Sequence, residues 1–150
     1  MIHVELQNAS TSPALPSAQQ FSLWAKAAMQ VKNAEIVIRV VDEEESAALN
    51  GQYRGKAGPT NVLSFPFQAP PGMKTEILGD LLICAPVVVR EAEEQGKSLP
   101  AHWAHMVVHG VLHLQGYDHI DEQEAVIMET AEIAIMNGLG FPNPYAEAVA

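Results

Sequence analysis

The chain has 150 residues, one cysteine and 18 acids against 8 bases, for a net charge of −10. That length suits a single domain over 1–150 with a core that needs no disulfide, and one cysteine excludes an internal one. The start, Met1-Ile2-His3-Val4, lacks a basic segment followed by an apolar run, and no stretch approaches the ~18 apolar residues of a membrane span, so a soluble, cytoplasmic protein with no membrane partner is expected.

Ile2 to Gln7 alternates in hydrophobicity and reads as a strand, with Pro13 and Pro16 in the loop after it. Ser17 with Gln20 resembles a capping box, and Phe21, Trp24, Ala25, Ala28 and Val31 recur at helical spacing, which predicts a helix to about Val31 with core aromatics. Ala34 to Val41 is rich in β-branched residues and reads as a second strand, followed by a short helix from Asp42 to Leu49. A loop from Asn50 to Pro59 carries Arg54 and Lys56. Asn61 to Phe67 reads as a third strand, at an edge because Pro66 has no N–H to give, and Gln68 to Lys74 is a Pro-Gly connection.

Ile77 to Cys84 reads as a fourth strand, with Cys84 a small buried hydrophobe. Ala85 to Gln95 is helical with Gly96 at its end, and Pro100 opens the next helix. A final helix starts near Asp121, which with Glu124 resembles a capping box, and Ile120 is expected to staple its start. Its apolar faces are read from Val126, Ile127, Ile133, Ala134 and Met136, and Phe141 to Tyr145 forms a poorly ordered or docking end. Strands come early and most helices late, so the fold class is α+β, a small mixed sheet of about four strands packed with five or six helices. The order of strands is not legible.

The run His109-Gly110-Val111-Leu112-His113-Leu114-Gln115-Gly116-Tyr117-Asp118-His119 carries the chemistry. Residues four apart on a helix project from one face, so His109 and His113 can reach one ion, and Gly116 ends the helix so that the chain returns His119 to it. Three imidazoles suit one zinc ion and leave an open fourth position for water, whose pKa such an ion lowers to roughly 7. Core histidines, or a structural site closed by a fourth ligand, are the plainer alternatives. His102 and His105 share the helix face, His105 as a second-shell or substrate-facing residue. Asp118 or Asp80 can accept the remaining ring N–H of a ligand, although Asp118 equally suits a local turn contact.

A zinc peptidase with this ligand spacing carries a glutamate base after the first histidine, where this chain has Gly110. The peptidase reading stays open only if a carboxylate comes from elsewhere, and a non-catalytic zinc-containing assembly factor is a third reading. The acidity has a structural reading, since Asp42 to Glu45, Glu91 to Glu94 and Asp121 to Glu124 are placed in first turns of helices. Such a chain cannot make a wide, sequence-independent phosphate footprint, so contact with nucleic acid should be focal or assisted by another protein. Arg54 and Lys56 make a local cationic patch, and Arg54 offers a planar fork for phosphoryl oxygens that a lysine lacks.

The eleven-residue run resembles the signature H-G-x-L-H-L-x-G-Y-D-H of the YbeY family of bacterial ribosomal RNA maturation endoribonucleases, matching every fixed position. Tyr53-Arg54-Gly55-Lys56, Pro59-Thr60-Asn61-Val62-Leu63-Ser64-Phe65-Pro66 and Leu78-Gly79-Asp80-Leu81 resemble further family segments, in the family's order. The resemblance implies zinc on His109, His113 and His119 and Arg54 facing the metal cleft, where its fork for phosphoryl oxygens makes it the expected catalytic residue. It implies a single-strand-specific endoribonuclease that matures the 3′ end of small-subunit (16S) ribosomal RNA and serves ribosome assembly and quality control. The implied partners are single-stranded precursor RNA and the ribosome or its proteins, with no DNA expected.

Overall fold

The computed structural model describes residues 1–146; residues 147–150, the end of the expected 1–150 domain, lie outside the described residues. The elements are β1 (Ile2–Asn8), α1 (Ala18–Ala28), β2 (Ala34–Val41), α2 (Glu43–Arg54), β3 (Val62–Pro66), β4 (Ile77–Cys84), α3 (Ala85–Gln95), α4 (Leu99–Leu114) and α5 (Glu122–Gly138). They form the expected α+β fold around one four-stranded sheet of order β1-β2-β4-β3. β1 and β4 both run parallel to β2, and β3 pairs antiparallel with β4. The edge position of β3 tolerates Pro66, which has no N–H for a second neighbour.

Alternation along the strands divides the interior. Ile36, Ile38 and Val40 of β2 and Leu81 and Ile83 of β4 face the main core, where Phe21, Trp24, Trp103, Val107 and Val111 of α1 and α4 meet them. Leu82 and Cys84, one residue out of phase, turn to a smaller cluster with Val41, Leu63 and Val87. The aromatics are core residues as expected, with the Phe21 ring centroid 5.6 Å from that of Trp103 in an edge-on contact. Both halves of the Ser17/Gln20 capping box are present. At α5, Asp121 accepts from the Glu124 N–H at 2.8 Å.

Several boundaries depart from local pattern. α1 stops at Ala28 because Gln115, from the end of α4, accepts from the Gln30 N–H at 2.8 Å and donates to the Ala28 carbonyl at 2.8 Å, capping the helix from a distant part of the chain. α2 runs on through Gly51 to Arg54, absorbing half of the expected loop. Asn50 is buried and donates to the Gly58 carbonyl at 2.9 Å, and Gly55, at φ 64°, closes the helix in the left-handed conformation that glycine adopts without strain. On α5 the buried residues are Met128, Glu132 and Met136; of the expected apolar positions Met136 is buried, whereas Val126 and Ile127 are exposed, and Ile120 is exposed, so there is no staple. Glu91 to Glu94 lie in the C-terminal half of α3, not in a first turn; Glu91 instead bonds His102 at 3.0 Å. No helix among the described residues is long and apolar enough to cross a membrane.

The central helix is α4, with twelve of its 16 residues buried. Ser98 caps it, accepting from the Ala101 N–H at 3.3 Å, and Pro100 sits in the first turn, where its missing N–H costs nothing. Gly110 lies where α4 meets β4, and a Cβ there would stand 2.7 Å from Cδ2 of Leu81, which is itself fully buried. The glycine is therefore a packing requirement. Replacing it with alanine should gain up to ~1 kcal/mol in helix propensity and lose ~1–3 kcal/mol to overpacking. Urea denaturation is expected to show Gly110→Ala as the less stable protein, with Leu81→Ala partly compensating in a double-mutant cycle; a more stable Gly110→Ala would contradict the close contact.

Candidate metal centre

His109 and His113 lie one turn apart, partly exposed, in the C-terminal half of α4, with their Nε2 atoms 3.1 Å from each other. Beyond Leu114 the helix is closed by the Gly116 N–H donating to the His113 carbonyl at 3.0 Å and the Tyr117 N–H donating to Leu112 at 3.1 Å. Gly116 takes φ 102°, a conformation costly for residues with a Cβ, and the chain reverses there. Asp118 accepts from the His119 N–H at 2.8 Å, which fixes the turn that returns His119. The ring centroids of His119 then lie 5.6 Å from His109 and 5.0 Å from His113.

One ring nitrogen from each histidine falls within 4.8 Å of the others, a set that can hold a metal ion. A tetrahedral ion with metal–nitrogen bonds of ~2.0–2.1 Å needs its nitrogens about 3.3 Å apart. The 3.1 Å between His109 and His113 is close to that spacing, so the donor set fits such an ion with small ring movements. Burial and the neighbouring His109 and His119 push the His113 imidazole below its ordinary pKa, which favours the neutral form that a ligand needs.

Glu132 of α5 was not singled out in the sequence and sits at the back of this cluster, fully buried. One carboxylate oxygen accepts from His109 Nδ1 and the other from the Tyr145 hydroxyl. Burial alone would raise its pKa, but the nearby His105 ring and the hydrogen bonds from His109 and Tyr145 outweigh it and hold the carboxyl at about 2. An ionised carboxylate has no proton to offer, so His109 carries its hydrogen on Nδ1 and turns the Nε2 lone pair toward the other histidines. The Phe141–Tyr145 end is docked: Pro144 is buried, and the Tyr145 ring stands edge-on to His105 at 5.3 Å. A glutamate at helical spacing between Met128 and Met136, both buried, is the signal that marks this position.

The other expected residues distribute around a cleft of ≈ 1140 Å³ whose lining includes His109, His113, His119, Asp118, Arg54 and Asp80. Arg54 is exposed at the last turn of α2 and, among the described residues, forms no ion pair. Asp80, on β4, is exposed, and its carboxyl is raised by partial burial and by Glu5. Glu132, not Asp80 or Asp118, is the carboxylate bonded to the ring of a cluster histidine among the described hydrogen bonds; Asp118 bonds only the His119 backbone. His105 is buried behind His109 with its Nε2 3.6 Å from Glu132, and His102 bonds Glu91. Lys56 is exposed beyond the Gly55 cap and is not part of the cleft lining.

A family model described as Endoribonuclease YbeY matches residues 5–140. The chain is 67% identical over 147 residues to Endoribonuclease YbeY of Methylococcus capsulatus, covering 98% of this chain and 97% of that one. In fold it is similar to the solution structure of TM1509 from Thermotoga maritima, with a TM-score of 0.58 at 21% identity, covering 98% of this chain and 100% of that chain.

Replacing Glu132 with glutamine keeps its volume and removes the charge that orients His109. Competition with a chromogenic chelator should show zinc affinity reduced about 10- to 100-fold in Glu132→Gln. Unchanged affinity in a folded variant would mean that Glu132 serves only the core.

Proposed function

The chain belongs to the YbeY endoribonuclease family, and from that premise we propose that it is a zinc-dependent, single-strand-specific endoribonuclease of the cytoplasm. Its substrate in this reading is precursor ribosomal RNA at the 3′ end of the 16S species, and its wider setting is ribosome assembly and quality control, with the ribosome or its proteins as partners. The observation that carries the reading is the convergence of three imidazole nitrogens within 4.8 Å, beside an arginine lining the same cleft.

His109, His113 and His119 hold the ion in this scheme, and Glu132 fixes His109 from behind. When bound, zinc supplies Lewis-acid polarisation of an oxygen facing it. Negative charge grows on the phosphoryl oxygens as the phosphodiester is attacked, and Arg54 can bind two of them with parallel N–H groups. Its position past the sheet, on the last turn of α2, leaves that guanidinium free of carboxylate partners among the described residues. Glu132 does not act on substrate, being fully buried and committed to His109 and Tyr145.

Amide hydrolysis requires a base for the attacking water and an acid for the amine. Position 110 supplies neither, and a Cβ there would collide with the buried Leu81 side chain, so no longer side chain fits without displacing it. This disfavours a peptidase.

Zinc-loaded Arg54→Ala should cleave single-stranded RNA about 10²–10³-fold more slowly while retaining its zinc. In His113→Ala, metal content and cleavage should fall together. Parental turnover in a folded, zinc-loaded Arg54→Ala would remove Arg54 from the mechanism, and parental turnover in a metal-free His113→Ala would remove the ion.

A further inference from the structure

The cleft is poorly equipped to hold RNA by charge alone. Its lining contains two arginines, Arg39 and Arg54, against three carboxylates, Glu45, Asp80 and Asp118. Arg39 is already committed, donating to both Glu45 oxygens at 2.6 and 3.0 Å and to Gln7 at 3.3 Å. Arg54 alone is left to meet phosphate from the protein side, in a chain of net charge −10. Phosphate neutralisation, the usual source of nucleic-acid affinity, is therefore nearly absent.

The same cleft presents an aromatic surface next to that arginine. Tyr53 precedes Arg54 on the last turn of α2 and is 62% exposed. Its ring meets Phe65 of β3 edge-on, with centroids 4.8 Å apart and planes at 67°. Phe65 is half-buried against the cluster of Leu63, Leu82 and Cys84, so it is an anchored wall that holds the tyrosine ring. A T-shaped contact engages at most one face of the tyrosine ring, so the other face of this exposed ring is open. Exposed tyrosine at the mouth of a cleft costs apolar area in water, and a flat π-system is the surface that covers it best.

We propose that Tyr53, held by Phe65, is a stacking site for an unpaired nucleobase of the RNA strand whose phosphate meets Arg54 and the histidine cluster. The inference rests on the nuclease reading above and deepens it. A base can reach the ring only when it is splayed from its neighbours, so the site favours single strands over duplexes, and every base has a face to offer, so sequence preference is weak. Affinity carried by stacking, not by displaced counterions, also depends weakly on salt.

The test uses the full chain and a fluorescent single-stranded RNA oligonucleotide. Binding is read by anisotropy on chelator-treated protein, and turnover is read on zinc-loaded protein. Tyr53→Leu should weaken binding and raise KM about 10-fold or more with little change in kcat. Tyr53→Phe, which retains the ring, should recover most of that loss. The Tyr53→Leu penalty should shrink when the RNA carries abasic residues, and the parental salt dependence should correspond to about one or two phosphate contacts. Parental affinity in Tyr53→Leu, or a penalty undiminished on abasic RNA, overturns the proposal while leaving the nuclease reading intact. RNA that binds through Tyr53 but is not cleaved by zinc-loaded protein supports the stacking site and contradicts the nuclease mechanism; absence of both RNA binding to the metal-free protein and RNA cleavage by the zinc-loaded protein overturns both.

Discussion

The approach of α4 to β4 at Gly110 is the constraint from which the site follows. With no Cβ at that position the helix lies against Leu81, and the Ser64 hydroxyl of β3 donates to the Gly110 carbonyl at 3.4 Å. The edge strand is thereby drawn beside the helix that carries two of the three clustered histidines. Phe65 and the last turn of α2 complete the opposite wall, which is why histidines from one end of the chain and Arg54 from the middle line one cleft. Gly110 first reads as the loss of a protease base. In the folded chain it is a packing residue, because a Cβ there would collide with Leu81.

Electrostatics divide into a buried part and an exposed part. Behind the histidines, Glu132 is ionised in the core because His109 and Tyr145 donate to it and His105 lies beside it, a desolvated charge stabilised by two hydrogen bonds. In front, the cleft lining is slightly acidic before any ion binds. A divalent ion at the histidines would reverse that sign locally, so metal and phosphate affinity are coupled in this reading, with stacking on Tyr53 supplying what charge does not.

Much of this was legible wherever one local rule dominated. The β-branched run Ala34–Val41 and the segment Ile77–Cys84 are strands with the expected limits, and the offsets of His109, His113 and His119 marked the cluster. What was not legible depends on distant partners. Gln115 ends α1, buried Asn50 carries α2 past a glycine, and the buried face of α5 contains a glutamate that hydrophobic periodicity excludes from a core. The groups that compensate Glu132 lie on α4 and in the C-terminal end, separated from it in sequence, so the hydrophobic pattern of α5 does not mark it as buried. The parallel pairing of β1 and β4 with β2 likewise has no local signature.

In the proposed function, one ion at the histidine cluster drives phosphodiester cleavage. The most direct measurement is a titration of metal-free protein with zinc while single-stranded RNA cleavage is followed. Activity should rise from background and level off at one equivalent of zinc per chain, returning to background with chelator. Full activity in the metal-free protein, or zinc bound stoichiometrically with no cleavage at any ratio, would contradict it.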